Sequence, residues 1–294
     1  MDHTSWSFDF RCVIFHLFFG DCESVSKKGA AGMGRLENGR KHVTFLHLLG
    51  AEMLKMRRTW ILWLHILMPV LGIAVFLWYY SFSMWSAWGK ISGYIEIVSI
   101  VCPVLVSFVS ALAAEQEKQA GHFQNLFGTG RHRESNLAIK ICLLMLWNLA
   151  ALLLAVGGFG AGFSLMTDVK VPGKFYPILI LITWVCQMFC YCFHLFLGIR
   201  FSRGISIGAG VVESLVAALM MTGLGDGIWQ FLPCAWAGRF TGYYVQMTAN
   251  ADINKEFLRT QIETGGIVML LMTLAGAGLL FMWFHNYEGR RMED

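Results

Sequence analysis

Two carboxylates, Glu115 and Glu117, lie in a polar stretch between two long apolar runs of the chain. Paired carboxylates are the residue type that general acid–base catalysis uses. On a helix, however, positions two apart do not face each other, and no metal-ligand spacing joins these two residues. The pattern favours a surface that docks a partner over a catalytic pair, with an ordinary solvated loop as the alternative interpretation.

A possible metal site is formed by Cys186, Cys190, Cys192 and His194. Positions 186, 190 and 194 share one face of a helix, as the ligands of a zinc ion would. No carboxylate is near in sequence, and cysteines within an apolar run behave as small hydrophobic residues. We therefore expect no metal site and interpret these thiols as packing residues.

Glu213 is a carboxylate near the middle of an apolar run. Such a group costs about 2.5–3.5 kcal/mol at the centre of a membrane, so it should face protein or water. It lies either on a translocation path or subunit interface, or in a hydrogen bond that only fixes packing. Glu96, nearer the end of another apolar run, is a second candidate for the path or interface. His65 and His194 stand alone in sequence, so no nucleophile–base pair is predicted.

The elements that must position these residues are membrane-spanning helices. The chain is 56% hydrophobic and 14% charged, whereas soluble domains carry about 25% charged residues. A helix needs about 20 apolar residues to cross a bilayer. Six runs qualify, at about 60–83, 91–114, 137–165, 175–199, 205–225 and 265–285. The predicted fold is an all-α integral membrane protein with six transmembrane helices, in which the aromatic segment 228–244 re-enters the outer leaflet or caps the pathway.

Lysine and arginine give the predicted helices a direction, because cytoplasmic flanks are enriched in both. With the N-terminus in the cytoplasm, eleven basic residues lie on the cytoplasmic flanks and six on the opposite flanks. The eleven are Lys55, Arg57, Arg58, Lys118, Arg131, Arg133, Lys140, Arg200, Arg203, Arg290 and Arg291, and the six are Lys90, Lys170, Lys174, Arg239, Lys255 and Arg259. Both termini are therefore predicted to be cytoplasmic. This bias accounts for the net charge of +4 without a nucleic-acid partner.

The first 42 residues differ from the rest of the chain. Residues 29–41 are Gly-rich and basic, which is typical of disorder. The stretch 39–43 also has the residues that a translated ribosome-binding site and a GTG start codon would encode, so one hypothesis places the start near Val43 and the other keeps 1–42 as a disordered extension. Residues 43–58 have apolar positions at helical spacing and predict an amphipathic helix in the membrane interface.

The polar stretch after the second run resembles the corresponding loop of ABC-2-type permeases of the lantibiotic-immunity group. The matching residues are Glu115, Glu117, Ala120, Gly121, Phe123, Gln124 and Asn125. Two further stretches resemble the same group, namely Leu48 to Trp60 and Pro233 to Trp236. The resemblance covers about residues 43–294, which is the predicted six-helix permease domain.

This resemblance implies a transport subunit rather than an enzyme. Such permeases pair with a separate ABC ATPase and with a second permease chain, homologous or identical, and move lantibiotic peptides out of a bacterial plasma membrane. The loop, through Glu115, Glu117, Gly121, Phe123 and Gln124, would be the segment that couples to the ATPase. The chain itself has no G-x-x-x-x-G-K-[ST] phosphate loop, so ATP and Mg²⁺ are expected in the partner and no cofactor in this chain.

Other functions remain open on the sequence alone. An ABC-2 permease for another hydrophobic substrate, either a drug or a lipid-like molecule, fits the same features, and a membrane-embedded enzyme fits them less well. The sequence leaves open which peptide is moved and whether the second permease is a copy of this chain. It also leaves open whether cargo leaves from the cytoplasm or from the outer leaflet.

Overall fold

A computed structural model describes residues 50, 52–54, 56, 59–119, 133–250 and 254–287. Every regular element in these residues is helical. The α-helices are α1 (Ile61–Phe82), α2 (Ala87–Gln119), α3 (Arg133–Leu152), α4 (Gly158–Ser164), α5 (Phe175–Cys186), α6 (Met188–Arg200), α7 (Arg203–Met220), α8 (Pro233–Ala249) and α9 (Lys255–Asn286). The N-terminal extension 1–42 lies outside the described residues.

The prediction of six transmembrane helices is confirmed. Six helical stretches of the described chain are long and apolar enough to cross a membrane: Ile61–Phe82, Ala87–Gln119, Glu134–Ser164, Phe175–Arg200, Arg203–Met220 and Lys255–Asn286. The third joins α3 to α4 through the π-helical turn Leu153–Gly157, and the fourth joins α5 to α6 across Gln187. The sixth begins ten residues before its predicted start, because the polar residues from Lys255 onward continue the helix.

Helix α2 lies at the centre of the bundle and packs against α6, α7 and α8. At one end of the bundle, Ala114, Leu137, Ile199 and Phe284 form an apolar cluster. We refer to this end as the basic end, because Lys118, Arg200 and Arg203 lie there. At the opposite end, a second cluster brings α2 and α8 together with α5.

Helices α2 and α7 approach each other closely along their middle turns. A Cβ placed on Gly210 would overlap the Ser107 side chain and lie 3.0 Å from the Pro103 carbonyl oxygen. Pro103 lacks an N–H and disturbs this turn of α2. Ser214 Oγ of α7 accepts a hydrogen bond from the Val104 N–H at 3.2 Å, so α7 supplies a polar partner to the disturbed turn.

Helix α8 packs inside the bundle, whereas most of the residues that join α7 to α8 are exposed. Two 3₁₀ turns, Gly223–Gly225 and Trp229–Phe231, lead into α8, which packs against α2, α5 and α9. Trp229, Ala235 and Trp236 are fully buried. Helix α8 has 17 residues and is not among the six spanning helices. The aromatic residues of 228–244 are therefore divided between a 3₁₀ turn, in which Phe231 is exposed, and α8, in which Trp236 and Phe240 are buried. Re-entry into the outer leaflet or capping of the pathway stays a prediction.

Arg239 of α8 accounts for the early end of α7. The predicted fifth span ran to residue 225, but the helix ends at Met220. Arg239 Nε donates to the Met220 carbonyl oxygen at 2.6 Å, and Nη2 donates to the Thr222 carbonyl oxygen at 2.7 Å. Its Nη1 lies 2.9 Å from Asp226 Oδ1. A guanidinium group at a helix C-terminus satisfies carbonyls that have no partner within the helix and opposes the negative end of its dipole.

Replacing Arg239 with glutamine is expected to lower the unfolding temperature of the purified protein. Each hydrogen bond to a charged group contributes about 1.5–3 kcal/mol, and glutamine cannot reproduce all three contacts. Thermal unfolding followed by tryptophan fluorescence measures the effect. Arg259→Gln is the matched control, because the Arg259 side chain is 77% exposed in an i,i+4 pair with Glu263. Equal unfolding temperatures for the two variants would contradict the role given to Arg239.

Candidate functional site

The predicted docking carboxylates lie on the last turns of α2. The helix continues unbroken from the membrane through Gln119, so Glu115 and Glu117 extend the second span and do not belong to a separate loop helix. Glu115 is half-buried and accepts a hydrogen bond from Gln119 Nε2 at 3.2 Å. Gly121, Phe123 and Gln124 lie outside the described residues, so their part in the coupling surface stays a prediction.

Glu117 belongs to a buried ion network that we name the lysine cluster: Glu52, Glu117 and Lys140. Lys140 Nζ lies 2.5 Å from Glu117 Oε1 and 3.4 Å from Glu52 Oε2. Glu117 and Lys140 are each 1% exposed, and the side chain of Glu52 is 12% exposed. The attraction between a buried ammonium group and two carboxylates offsets the cost of removing these charges from water only while this geometry holds.

The lysine cluster joins three separate segments at the basic end. Glu52 belongs to the helical residues before α1, Glu117 to the end of α2, and Lys140 to the first turns of α3. Glu117 and Lys140 are 23 positions apart and bracket residues 120–132. The carboxylate of Glu117 thus contacts Lys140 inside the bundle and joins the end of α2 to α3. A lysine inside an apolar run must find a counter-ion, and that is the sequence signal that would have identified Lys140.

Glu213 belongs to a second group, which we name the intramembrane polar cluster: His194, Ser206 and Glu213. Glu213 Oε2 lies 3.1 Å from His194 Nε2. On the other side of the ring, Ser206 Oγ lies 3.4 Å from His194 Nδ1 and donates to the His194 carbonyl oxygen at 3.2 Å. His194 is therefore not isolated, and the prediction that it stands alone is wrong. The contacts join α6 to α7 across separations of 12 and 19 residues, which no local motif would reveal.

Serine, histidine and glutamate in a chain of contacts are also the residue types of a hydrolytic triad. Here, however, Ser206 is fully buried, and its Oγ lies 3.5 Å from the Ser107 carbonyl oxygen of α2. A nucleophile must reach a substrate carbonyl, and this hydroxyl is enclosed between helices. The side chain of Glu213 is 21% exposed, so the carboxylate is the member of the cluster that reaches the surface of the bundle.

Glu96 lies at a different place from Glu213. It is exposed on α2 and lines a shallow cavity of about 100 Å³ between α2 and α8, together with Ser92, Arg239 and Gln246. Glu213 does not line this cavity. Glu96 and Glu213 therefore do not line this cavity together, and the role of each in a path or a subunit interface stays a prediction.

The cysteines of the fourth span face other apolar residues. Cys186 Sγ lies 3.7 Å from Met269 Sδ, and Cys190 packs with Val106 and Leu195. In the part of the chain that the structure describes, no group of three His, Cys, Asp or Glu residues is arranged to hold a metal ion.

A comparison with protein families decides the class of the chain. A family model described as ABC-2 family transporter protein matches residues 48–225, which is more than half of the sequence. The chain belongs to the ABC-2 transporter family. No curated protein and no solved structure matches it.

The matched region of this ABC-2 permease contains both clusters. It runs from just before Glu52 to just after α7 and so includes the lysine cluster and the intramembrane polar cluster, whereas α8 and α9 lie beyond it. The protein is accordingly a multi-pass membrane permease subunit of an ABC transporter, and membership of the family implies an ABC ATPase as its partner.

Proposed function

We propose that this permease expels lantibiotic-type antimicrobial peptides from a bacterial plasma membrane. A separate ABC ATPase drives it by docking on the loop after α2, and a second permease chain completes the path. The peptide cargo is proposed from the resemblance to lantibiotic-immunity permeases, and the lysine cluster is the observation that carries the proposed coupling to the ATPase. It ties both flanks of the loop to the segment before α1 through buried charges, so a partner that moves the loop must move all three segments.

The central position of α2 extends this linkage into the membrane. Helix α2 carries Glu117 at its basic end and packs along α7 through Gly210 and Ser107. Helix α7 in turn carries Ser206 and Glu213. Because packed helices move as rigid bodies rather than deform continuously, a displacement of the loop would be transmitted to the intramembrane polar cluster.

The basic end is the cytoplasmic end in this proposal, with both termini on that side. The excess of lysine and arginine there follows the usual charge bias of membrane proteins. The ATPase hydrolyses ATP in the cytoplasm, so its docking loop has to lie at the same end. Residues 119 and 133, which flank the loop, are the ends of α2 and α3 at the basic end of the bundle.

Replacing Phe123 with alanine is expected to reduce survival in the presence of the peptide and the recovery of the ATPase with the permease. A few large side chains typically carry most of the binding energy of a protein interface, and Phe123 is the aromatic one among the five residues assigned to the coupling surface. The assay coexpresses the ATPase and both permease chains, challenges cells with the peptide, and measures copurification of the ATPase on a tagged permease.

The matched control is Lys174→Ala, an exposed residue at the opposite end of the bundle. It should leave both survival and copurification at the wild-type level. If Phe123→Ala retains full protection and full ATPase recovery at equal expression, then the loop does not couple the permease to the ATPase.

A further inference from the structure

The third span contains one turn whose hydrogen bonds differ from those of an α-helix. Helices α3 and α4 are joined by the π-helical turn Leu153–Gly157, and in a π-helix the hydrogen bonds span five residues rather than four. The additional residue interrupts the regular ladder, and helices change direction at such turns. Turns of this kind are uncommon and are frequently found at functional sites. The two parts of the span can therefore change their relative orientation here more easily than elsewhere.

Tyr94 of α2 contacts both this turn and the helix that follows it. Its hydroxyl group donates a hydrogen bond to the Ala155 carbonyl oxygen, within the turn, at 2.9 Å. Its ring is stacked on that of Phe159 in α4, with 3.8 Å between the ring centroids and 9° between the ring planes. Both rings are buried, and a buried tyrosine hydroxyl needs a hydrogen-bond partner. One side chain of α2 thus holds the turn and α4 together.

Helix α4 meets the side chains of α1 rather than its backbone. A Cβ placed on Gly158 would lie 2.9 Å from Ile73 Cδ1, and one on Gly162 would lie 2.4 Å from Leu77 Cδ1. These atoms are the ends of flexible side chains, whereas the close approach at Gly210 includes a backbone carbonyl oxygen. A small shift of the seven-residue helix α4 therefore requires rotation of a few side chains and no movement of the α1 backbone.

The second and third spans are joined at two distant places. At the basic end, Glu117 of α2 pairs with Lys140 of α3. At the opposite end, the Tyr94 hydroxyl binds the Ala155 carbonyl oxygen. Between these contacts, the backbone of α3 packs most closely against α1 and α5 rather than against α2. Tyr94 and Glu117 belong to one continuous helix and are about 35 Å apart along its axis, so a displacement of α2 at the basic end reaches the π-helical turn.

We propose that the π-helical turn is a hinge on which α4 changes its orientation when the ATPase displaces α2, and that Tyr94 is the positioning residue that couples α2 to this hinge. The hinge rests on the proposed function, because the ATPase supplies the displacement of α2. It adds to that function the element through which the displacement changes the end of the permease opposite the docking loop.

Hydrogen–deuterium exchange followed by mass spectrometry tests the hinge, because exchange reports the local opening of backbone hydrogen bonds. The sample is the complete transporter, with its ATPase and both permease chains, in lipid nanodiscs. One sample is free of nucleotide and the other is trapped with ADP and vanadate. In the wild type, exchange of residues 153–164 should differ between the two states, whereas exchange of residues 175–186 in α5 should not.

Tyr94→Phe removes the hydroxyl group and keeps the ring that stacks on Phe159. It should abolish the difference in exchange between the two states. In proteoliposomes, it should lower the amount of labelled cationic peptide moved per ATP hydrolysed by about fivefold, as expected for one lost hydrogen bond. Copurification of the ATPase should stay at the wild-type level. Tyr79→Phe is the matched control, because it removes the same group from a side chain that is 40% exposed on α1, and it should leave all three measurements unchanged.

Deletion of Leu153 tests the turn without changing Tyr94. It removes the additional residue, so the third span should become α-helical throughout while the residues on either side keep their faces. Leu153 is 54% exposed, so no core side chain is lost. This variant should bind the ATPase and hydrolyse ATP, but it should show no state-dependent exchange in residues 154–164 and a loss of peptide movement per ATP.

The hinge would be overturned by wild-type exchange in residues 153–164 that is the same in both states. A Tyr94→Phe transporter that retains both the state-dependent exchange and the wild-type peptide movement per ATP would also overturn it. Failure of the proposed function gives a different result. If trapping changes the exchange of 153–164 in the wild type but no cationic peptide is moved, then the cargo is wrong and the hinge stands. A permease that does not bind the ATPase would overturn both.

Discussion

Replacing Lys140 with methionine is expected to abolish peptide protection and to destabilise the permease. The substitution leaves Glu117, which is 1% exposed, and the largely buried Glu52 without the ammonium group between them. Removing one partner of a buried ion pair costs about 3–5 kcal/mol, a large part of the roughly 5–15 kcal/mol that typically separates folded from unfolded protein. Unfolding temperature, membrane yield and survival under peptide challenge measure the effect.

The double variant Glu117→Gln/Lys140→Met isolates the ion pair from the general effect of substitution. It removes one of the two carboxylates that lose their contact with Lys140 in the single variant, so it should be more stable than Lys140→Met alone. Residues in one buried network show non-additive effects. Lys118→Met is the matched control, because Lys118 is exposed on the adjacent position of α2. Strictly additive losses for Glu117→Gln and Lys140→Met would mean that the two residues do not act as a pair.

Replacing Gly210 with alanine is expected to have the second-largest effect, by separating α2 from α7. The new methyl group would overlap Ser107 and press on the Pro103 carbonyl oxygen, which belongs to the backbone and cannot rotate aside. Overpacking of this kind costs about 1–3 kcal/mol. Because α7 also carries Ser206 and Glu213, its displacement should impair transport as well as stability.

Gly208 provides the control on the same helix, two positions away. A Cβ there meets nothing within 4 Å, and alanine has the higher helix propensity, so Gly208→Ala should unfold at the wild-type temperature or slightly above it. Unfolding temperature and peptide-stimulated ATP hydrolysis of the purified transporter should both fall for Gly210→Ala. Identical values for the two variants would contradict the close approach of α2 and α7.

The six spans were predictable from sequence because each depends on the apolar content of one continuous run. The burial of α8 was not predictable in the same way. Helix α8 has only 17 residues and contains Arg239, so it lacks the length and the uniform hydropathy of a span. Its position depends instead on contacts made by distant elements, such as the α7 carbonyls that Arg239 binds.

In the candidate sites, too, features that depend on neighbouring residues could be predicted from the sequence, whereas contacts between distant residues could not. The unfavourable position of Glu213 was evident from its apolar neighbours, but its partner His194 lies 19 positions away on another helix. Glu117 was interpreted as part of a docking surface because the residues beside it are polar. The structure buries its side chain against Lys140, which the sequence places in the next apolar run. An ionisable residue within an apolar run is a useful sequence signal for a buried site, because its charge needs a partner. The sequence alone does not say which residue that partner is.

The most direct measurement is the ATP-dependent movement of a labelled cationic peptide across proteoliposomes that contain the permease chains and the ATPase. The wild-type complex should move the peptide when ATP is present, and a Lys140→Met complex at equal protein content should not. Movement that is unchanged without ATP or without the ATPase subunit, or that persists fully in Lys140→Met, would contradict the claim that the loop and the lysine cluster couple a separate ATPase to peptide transport.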